Sequence, residues 1–407
     1  MKKYEKTLGI SLIRQDVDKG VSLDQYSYLS PENVGFVQQF HKSIPFYKPT
    51  PLVRLSALSE KLGVKGIYVK DESKRFAEFG LNAFKGMGGI FAVGQVICRE
   101  LGLDPKTTTF EQLTSPEVRE KSRDMVFITT TDGNHGRGVA WAASQYGCKS
   151  YVYMPKGSAK SRIEAIKRVG AEECIVTEMN YDDTVKYTTQ IAKKNGWHLV
   201  QDTAWEGYEE VPQLIVQGYT TLGREALDQL AECGEKKPTH VFLQAGVGSF
   251  AGSIIGYYAS IFKDHPKFAI VEPTMVACFY NSAQIGDGKP HGVKSAENTI
   301  MAGLNCGEPS IGVWPVIRDL AEFYIACDDD VTMEGMRLYA NPMPGDSKII
   351  SGESAAVGLG LVNRLMLRPE LKDMRCALGL DNNSVILLVS TEGNTDPEGY
   401  DKVVNGR

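Results

Sequence analysis

The chain has 407 residues, of which 42% are hydrophobic and 23% charged, and its formal net charge is −5 at pH 7. This length allows one large two-lobed domain or two domains with a sizeable core, and the composition is that of a globular protein. The acidic balance gives no indication of a nucleic-acid partner. No window approaches the roughly 20 apolar residues of a membrane span, and no signal-peptide core is present. We therefore expect a cytoplasmic protein without a membrane partner.

Eight cysteines are spread along the chain, and none forms a CxxC pair. In so long a chain they do not indicate a disulfide framework, and we interpret most of them as small buried hydrophobic side chains. Cys278 and Cys306 flank a glycine-rich loop, and the sequence leaves open whether they pair. We predict no metal site, although the need for a monovalent cation is also left open.

Short β-branched or aromatic runs alternate with helical stretches. The runs lie at 66–72, 124–130, 149–155, 173–178, 198–202, 239–246, 268–273, 323–328 and 385–390. The stretches with helical spacing of apolar or small residues include 137–147, 160–172 and 182–196. This alternation predicts an α/β fold with mainly parallel sheets, in which ligands bind at the carboxyl ends of the strands.

The segment GLNAFKGMGG (80–89) places Lys85 between a phenylalanine and three glycines in four positions. Solubility alone does not explain a lysine in such a tight, glycine-lined place. A lysine in a desolvated pocket has a lowered amine pKa and becomes a usable nucleophile and base. Lys85 is therefore a candidate catalytic residue.

Two glycine-containing loops follow predicted strands. In TDGNHGRG (131–138), glycines flank an Asn-His pair where a helix should start, so the turn either faces a ligand or is simply capped by Asp132. In AGVGSFAGS (245–253), the glycines either let the backbone approach a phosphate or allow close helix–strand packing. This second loop matches neither GxGxxG nor GxxxxGK[ST], so a nicotinamide-dependent dehydrogenase is disfavoured.

The lysine, the Asn-His turn, the glycine loop and a serine ending the last strand occur in an order that resembles the fold-type II pyridoxal-phosphate enzymes, the tryptophan synthase β-subunit group. The family phrases S-F-K-x-R-G, S-x-G-N-H-G, tetraglycine and S-G-G-N stand here as AFKGMG, TDGNHG, AGVGS and STEGN. The resemblance implies two lobes, each with a mainly parallel twisted sheet flanked by helices, and an active site in the cleft between them. It places a large pyridoxal-phosphate-binding domain at 1–125 and 204–407 and a small domain at 126–203, and it implies a homodimer.

The resemblance also implies the role of each motif. Lys85 would form a Schiff base with pyridoxal 5′-phosphate, and Asn134 would hydrogen-bond the phenolic oxygen of its ring. Ser390, or the adjacent Thr391, would face the ring nitrogen, where a neutral hydroxyl favours elimination over transamination. The phosphate would be held by the backbone amides of Gly246, Val247, Gly248 and Ser249.

Within this family, the segments 129–143, 201–212 and 351–360 resemble sequences of the diaminopropionate ammonia-lyases. Members of that group convert D- and L-2,3-diaminopropionate into pyruvate and two ammonia. Serine and threonine dehydratases carry a small hydroxyl or similar residue where this chain has Asp132. Our hypothesis is that Lys85 removes the α-proton of the L isomer and Asp132 that of the D isomer.

Asp202, in QDTAW, would supply another acidic group to the site, or would only cap a helix over AWEGYEE (204–210). Thr131 and His135, together with Asp132 and Asp202, are the candidate substrate-binding residues. Two alternatives of other kinds stay open: a serine/threonine dehydratase or cysteine synthase-like enzyme, and a non-catalytic small-molecule-binding protein of the same fold. Asp132 speaks against the first and Lys85 against the second.

Overall fold

The computed structural model describes residues 1–295 and 297–406. Over these residues the strands are β1 (Lys2–Thr7), β2 (Ile10–Arg14), β3 (Leu52–Arg54), β4 (Gly66–Asp71), β5 (Val126–Thr130), β6 (Lys149–Met154), β7 (Glu173–Val176), β8 (His198–Leu199), β9 (His240–Gln244), β10 (Lys267–Pro273), β11 (Phe323–Cys327) and β12 (Val385–Ser390). The first eight helices are α1 (Pro31–Lys42), α2 (Ser56–Leu62), α3 (Lys85–Leu101), α4 (Phe110–Leu113), α5 (Pro116–Ser122), α6 (Asn134–Tyr146), α7 (Lys160–Arg168) and α8 (Tyr181–Asn195). They are followed by α9 (Glu210–Glu232), α10 (Ser249–Ile261), α11 (Cys278–Ile285), α12 (Trp314–Leu320), α13 (Asp329–Ala340), α14 (Val357–Leu367), α15 (Lys372–Leu378) and α16 (Pro397–Asn405).

The chain divides into two compact units, each with its own sheet. The first unit is Met1–Pro31, Thr50–Lys74 and Leu222–Arg407, and the second is Glu32–Pro49 and Arg75–Thr221. The predicted α/β class is confirmed, and each predicted strand run contains a strand. The predicted small domain, 126–203, lies wholly within the second unit, and its exact bounds stay a prediction. Among the described residues, no helix is both long and apolar enough to cross a membrane.

The sheet of the first unit has the strand order β1-β2-β11-β10-β9-β12-β4-β3. Its strands run parallel from β11 to β4, whereas β1, β2 and β3 pair antiparallel at the two edges. Of these parallel strands, β4, β9, β11 and β12 are buried along their whole length, and β10 is buried except at Lys267, as expected where helices cover both faces. The sequence analysis missed the three antiparallel strands. Most residues of β1 are charged, and β3 has only three residues.

The sheet of the second unit has the order β7-β6-β5-β8 and is parallel throughout. Because side chains alternate along a strand, β6 contributes side chains to two hydrophobic clusters, one on each face of the sheet. Val152 and Met154 pack with side chains of α6 and α7, and Tyr153 packs with Ala192 of α8. This arrangement brings the end of β5 to the start of α6, where the predicted Asn-His turn lies.

Glycines allow α3 and α6 to approach each other closely. A Cβ on Gly89 would lie 2.9 Å from the carbonyl oxygen of Gly138, and a Cβ on Gly138 would lie 3.0 Å from the carbonyl oxygen of Lys85. The glycines that follow Lys85 therefore serve helix packing. They also fix the backbone of Lys85 against a second helix, which restricts the directions in which its side chain can reach.

Candidate active site

Lys85 is the first residue of α3, and its amine pairs with a carboxylate. The Nζ atom lies 2.7 Å from Oδ2 of Asp202, and the side chains are 18% and 6% exposed. The rings of Phe84 and Tyr219 lie beside the ammonium, with their centroids 5.3 Å and 6.0 Å from Nζ. The sequence predicted a shielded amine, and the structure adds a counter-ion that is 117 residues away along the chain.

His135 lies next to the same carboxylate. Its Nε2 is 2.8 Å from the carbonyl oxygen of Val200, and because a carbonyl can only accept, Nε2 carries the proton. Its Nδ1 is then 3.7 Å from Oδ2 of Asp202. Burial lowers the pKa of His135, so the ring is neutral near pH 7. The two ring nitrogens of His135, a predicted substrate-binding residue, thus both face protein atoms.

Asp202 is ionised in this setting. Burial by itself would raise the pKa of Asp202, but attractive charge interactions and the hydrogen bond from Lys85 outweigh burial and bring that pKa down to about 2. The alternative that Asp202 only caps a helix over 204–210 is wrong. Trp205 and Tyr208 close a turn there, and α9 begins only at Glu210.

The turn between β5 and α6 is held by Thr131. The hydroxyl oxygen of Thr131 accepts hydrogen bonds from the amides of Gly133, at 2.9 Å, and Gly136, at 3.0 Å. The interpretation of Asp132 as the capping residue is therefore wrong, because the side-chain oxygen of Thr131 accepts the hydrogen bonds from the amides of this turn. Thr131 was predicted to bind substrate, and its oxygen is engaged in shaping the turn.

Asn134 is oriented by Arg137, a residue that the sequence analysis missed. The side-chain oxygen of Asn134 accepts a hydrogen bond of 2.7 Å from Arg137, and the same guanidinium nitrogen donates to the carbonyl of Leu81. This contact fixes the orientation of the Asn134 side-chain amide, with its oxygen towards Arg137. Arg137 belongs to the quoted turn, but nothing in its local pattern distinguishes it from a surface arginine.

Asp132 differs from Asp202 in its protonation. It is half-buried, and burial raises its pKa to about 7, helped by Asp202 and Asp182 and opposed by Arg162 and Lys85. A carboxyl group that titrates near neutral pH is well suited to proton transfer. Arg162, which also donates to the backbone carbonyl of Asp132 at 3.2 Å, carried no sequence signal.

In the first unit, the loop 245–248 connects β9 to the N-terminus of α10. Gly248 has a φ of +93°, and a Cβ on it would collide with the ring of Phe279. A Cβ on Gly246 would lie 3.2 Å from the carbonyl oxygen of Gly303. The carbonyl oxygen of Val247 accepts from the amide of Ser310 at 2.9 Å, which fixes the loop. Ser249, the remaining predicted phosphate ligand, is buried as the first residue of α10.

The two hydroxyls at the end of β12 have different partners. The buried Oγ of Ser390 donates to Oγ of Ser351 at 2.9 Å, whereas Oγ1 of Thr391 accepts from Nε2 of Gln244 at 3.0 Å. Ser351 was not identified from the sequence. Which of Ser390 and Thr391 faces the ring nitrogen stays a prediction.

Cys278 and Cys306 are free thiols, as are the other six cysteines. The Sγ of Cys278 lies 3.9 Å from the carbonyl oxygen of Gly246 and 3.8 Å from that of Cys306. In the described part of the chain, no group of three or more His, Cys, Asp or Glu residues is arranged to hold a metal ion.

The sequence matches a known family over most of its length. The family described as "Pyridoxal-phosphate dependent enzyme" matches residues 44–380. A diaminopropionate ammonia-lyase from Salmonella typhimurium is 51% identical over 379 residues, which cover 92% of this chain and 93% of that protein. A diaminopropionate ammonia-lyase from Escherichia coli K12 is 49% identical over 376 residues, 92% of each chain.

Solved structures agree with the fold. Holo diaminopropionate ammonia lyase from Escherichia coli has a TM-score of 0.91 and 46% identity, over 99% of this chain and 98% of that chain. The same enzyme in complex with D-serine has a TM-score of 0.89 and 46% identity, over 98% and 97%. Threonine deaminase isoform 2 from Solanum lycopersicum, only 18% identical, has a TM-score of 0.74 over 99% of both chains, so the fold-type II architecture is confirmed.

The described residues fit pyridoxal phosphate. An amine at the start of α3 can bond to the aldehyde of the cofactor. Gly246 and Gly248 pack closely against Gly303 and Phe279, and the N-terminus of α10 that follows them carries the positive end of the helix dipole, which suits a phosphate.

The phosphate loop can be tested with Gly248→Asp. This change adds a negative charge and a side chain that collides with Phe279, so we expect cofactor affinity to fall by about tenfold or more. The matched control is Gly288→Asp, since Gly288 also has a positive φ, +80°, but a Cβ on it would meet nothing within 4 Å. Cofactor absorbance after dialysis measures retention, and circular dichroism reports folding. Equal retention in both folded variants would place the phosphate elsewhere.

Proposed function

The chain belongs to the diaminopropionate ammonia-lyases, within the pyridoxal-phosphate dependent enzymes, and on this premise we propose that it eliminates ammonia from D- and L-2,3-diaminopropionate. With one water, the reaction yields pyruvate and two ammonia. The observation that carries the proposal is the pair of differently ionised carboxyls, Asp202 and Asp132, around Lys85. A dehydratase that uses one base requires no second carboxyl with a pKa near neutrality.

When bound, pyridoxal phosphate withdraws electrons from the α-carbon of the amino acid and so stabilises the charge left by proton removal. Lys85 would hold the cofactor covalently. Asn134 would donate its NH₂ group to the phenolic oxygen, and a hydroxyl of Ser390 or Thr391 would face the ring nitrogen. The amides of the loop at 246–249 would hold the phosphate.

After the amino group of the substrate displaces Nζ of Lys85 from the cofactor, the freed amine would take the α-proton of the L isomer on Nζ. The ionised Asp202, at 2.7 Å, orients this amine and stabilises the positive charge that the amine acquires. His135 holds the segment before Asp202 through Val200, which keeps the carboxylate in place. The same proton on Nζ is then available for the departing β-amino group.

Asp132 takes the α-proton of the D isomer on its carboxylate. Its pKa of about 7 leaves a substantial ionised fraction at neutral pH and also makes the protonated form accessible after transfer. Arg162 and Lys85 favour the ionised form. Thr131 shapes the turn that carries Asp132, so its contribution to substrate binding is indirect.

The function is tested by measuring pyruvate and ammonia release from D- and L-diaminopropionate, L-serine and L-threonine. We expect two ammonia per pyruvate with both diaminopropionate isomers and lower kcat/KM with serine and threonine. Lys85→Ala should remove turnover and the visible absorbance of lysine-bound cofactor. A Lys85→Ala variant that eliminates ammonia at the normal rate would contradict the role of Lys85, and faster turnover of L-serine or L-threonine would favour the dehydratase alternative.

The second carboxyl is tested with Asp132→Asn, which preserves shape but removes the base. Activity on the D isomer should fall by roughly 10²-fold or more, the scale of a lost general base, and activity on the L isomer much less. Since only the carboxylate accepts a proton, kcat/KM for the D isomer in the unmodified enzyme should rise as pH increases through about 7. Equal losses for both isomers would mean that Asp132 only binds substrate.

We also propose that the protein is a homodimer and acts in the cytoplasm. The family resemblance supports the dimer, and eight free thiols suit a reducing compartment. A monomeric mass by light scattering of the holoenzyme would contradict the dimer.

A further inference from the structure

Glu272, in β10, is a fully buried carboxyl group to which the proposed mechanism gives no role. Its Oε1 accepts from the amide of Phe279 at 2.9 Å and its Oε2 accepts from the amide of Tyr280 at 2.7 Å. These are the second and third residues of α11, the positions whose amides an N-cap side chain normally satisfies. The N-cap residue is Ala277, which makes no side-chain cap. Glu272 therefore caps α11 from a neighbouring strand.

This remote cap holds the wall beside the phosphate loop. The ring of Phe279 occupies the space that a Cβ on Gly248 would need. The Sγ of Cys278, the residue before Phe279, lies 3.9 Å from the carbonyl oxygen of Gly246. The start of α11 thus contacts the loop at both of its glycines, and any displacement of α11 changes the space in which the loop lies.

A buried carboxyl is costly unless its oxygens are hydrogen-bonded. Burial raises the pKa of Glu272 to about 8, against the opposing effect of the Phe279 and Tyr280 amides. An apolar residue at position 272 would avoid this cost but would leave two buried amide donors unsatisfied. A glutamate at this position therefore matches a requirement for a fixed start of α11.

We propose that Glu272 is a positioning residue for cofactor binding, which sets the conformation of the loop at 246–249 through Phe279. The inference rests on the proposed role of that loop as the phosphate site. Glu272 touches neither substrate nor cofactor, so its effect is expected in cofactor affinity rather than in the pH dependence of proton transfer.

The chain contains a matched control. Asp346 accepts at 2.9 Å from each of the amides of Ala57 and Leu58, the second and third residues of α2, whose N-cap residue Leu55 also makes no side-chain cap. Asp346 therefore caps α2 in the same way as Glu272 caps α11, but the capped residues of α2 do not contact Gly248. Asp346→Asn should lower the melting temperature without changing cofactor affinity.

The test measures the dissociation constant of pyridoxal phosphate by fluorescence and the melting temperature of each holoenzyme. Glu272→Gln places an NH₂ donor against a backbone N–H, and we expect affinity to fall about tenfold, which corresponds to about 1.4 kcal/mol. Phe279→Leu leaves the Glu272 contacts to the backbone intact but removes the ring beside Gly248, and it should weaken affinity similarly.

Unchanged affinity in a folded Glu272→Gln variant overturns the inference, and so does a loss of the same size in Asp346→Asn. If Glu272→Gln does not fold, Phe279→Leu decides, and normal affinity in that variant overturns the inference. Weakened binding in Gly248→Asp alone would leave the proposed phosphate site standing while excluding Glu272. Normal binding in both Gly248→Asp and Glu272→Gln would overturn the proposed phosphate site as well.

Discussion

The close approach of α3 and α6 is the constraint that fixes Lys85 and the Asn-His turn in the second unit. Lys85 begins α3 and Asn134 begins α6, so the separation of these helices sets the separation of the two residues. Gly89 and Gly138 allow backbone contact between them, and packing at such a distance leaves little freedom for either helix to slide. The lysine and the turn that carries Asp132 are thereby fixed by backbone contact rather than by flexible side chains.

The electrostatics of the unit follow from how each carboxyl is surrounded. Asp202 has a cationic partner at 2.7 Å, and its pKa falls to about 2. At Asp132, burial outweighs the attraction of Arg162 and Lys85, and its pKa rises to about 7. Two carboxyls near one amine thus hold different protonation states at neutral pH, which is how a single site can contain both a permanent counter-ion and a titrating base.

The first unit uses carboxyl groups in a different way. Glu272 and Asp346 each satisfy the second and third amides of a helix whose own N-cap residue makes no side-chain cap. A cap from a distant residue joins a helix end to another element, whereas a local cap stabilises only the helix itself. The start of α11, which lies beside the proposed phosphate loop, is therefore held by a tertiary contact with β10.

The sequence by itself determined the α/β class, all the parallel strands that the structure describes, Lys85, the Asn-His turn and the glycine loop. Each of these features depends on a short contiguous segment of sequence. A strand needs β-branched residues close together, and a phosphate loop needs glycines close together. The tertiary structure alone decided the pairing of Lys85 with Asp202, the capping of the turn by Thr131 and the contacts of Arg137, Arg162 and Ser351. It also decided the pKa of Asp132 and the capping of α11 by Glu272. Each of these depends on burial and on charges or hydrogen-bond donors that come together from distant parts of the chain. Neither the burial of a residue nor its distant neighbours can be read from the local spacing of residues.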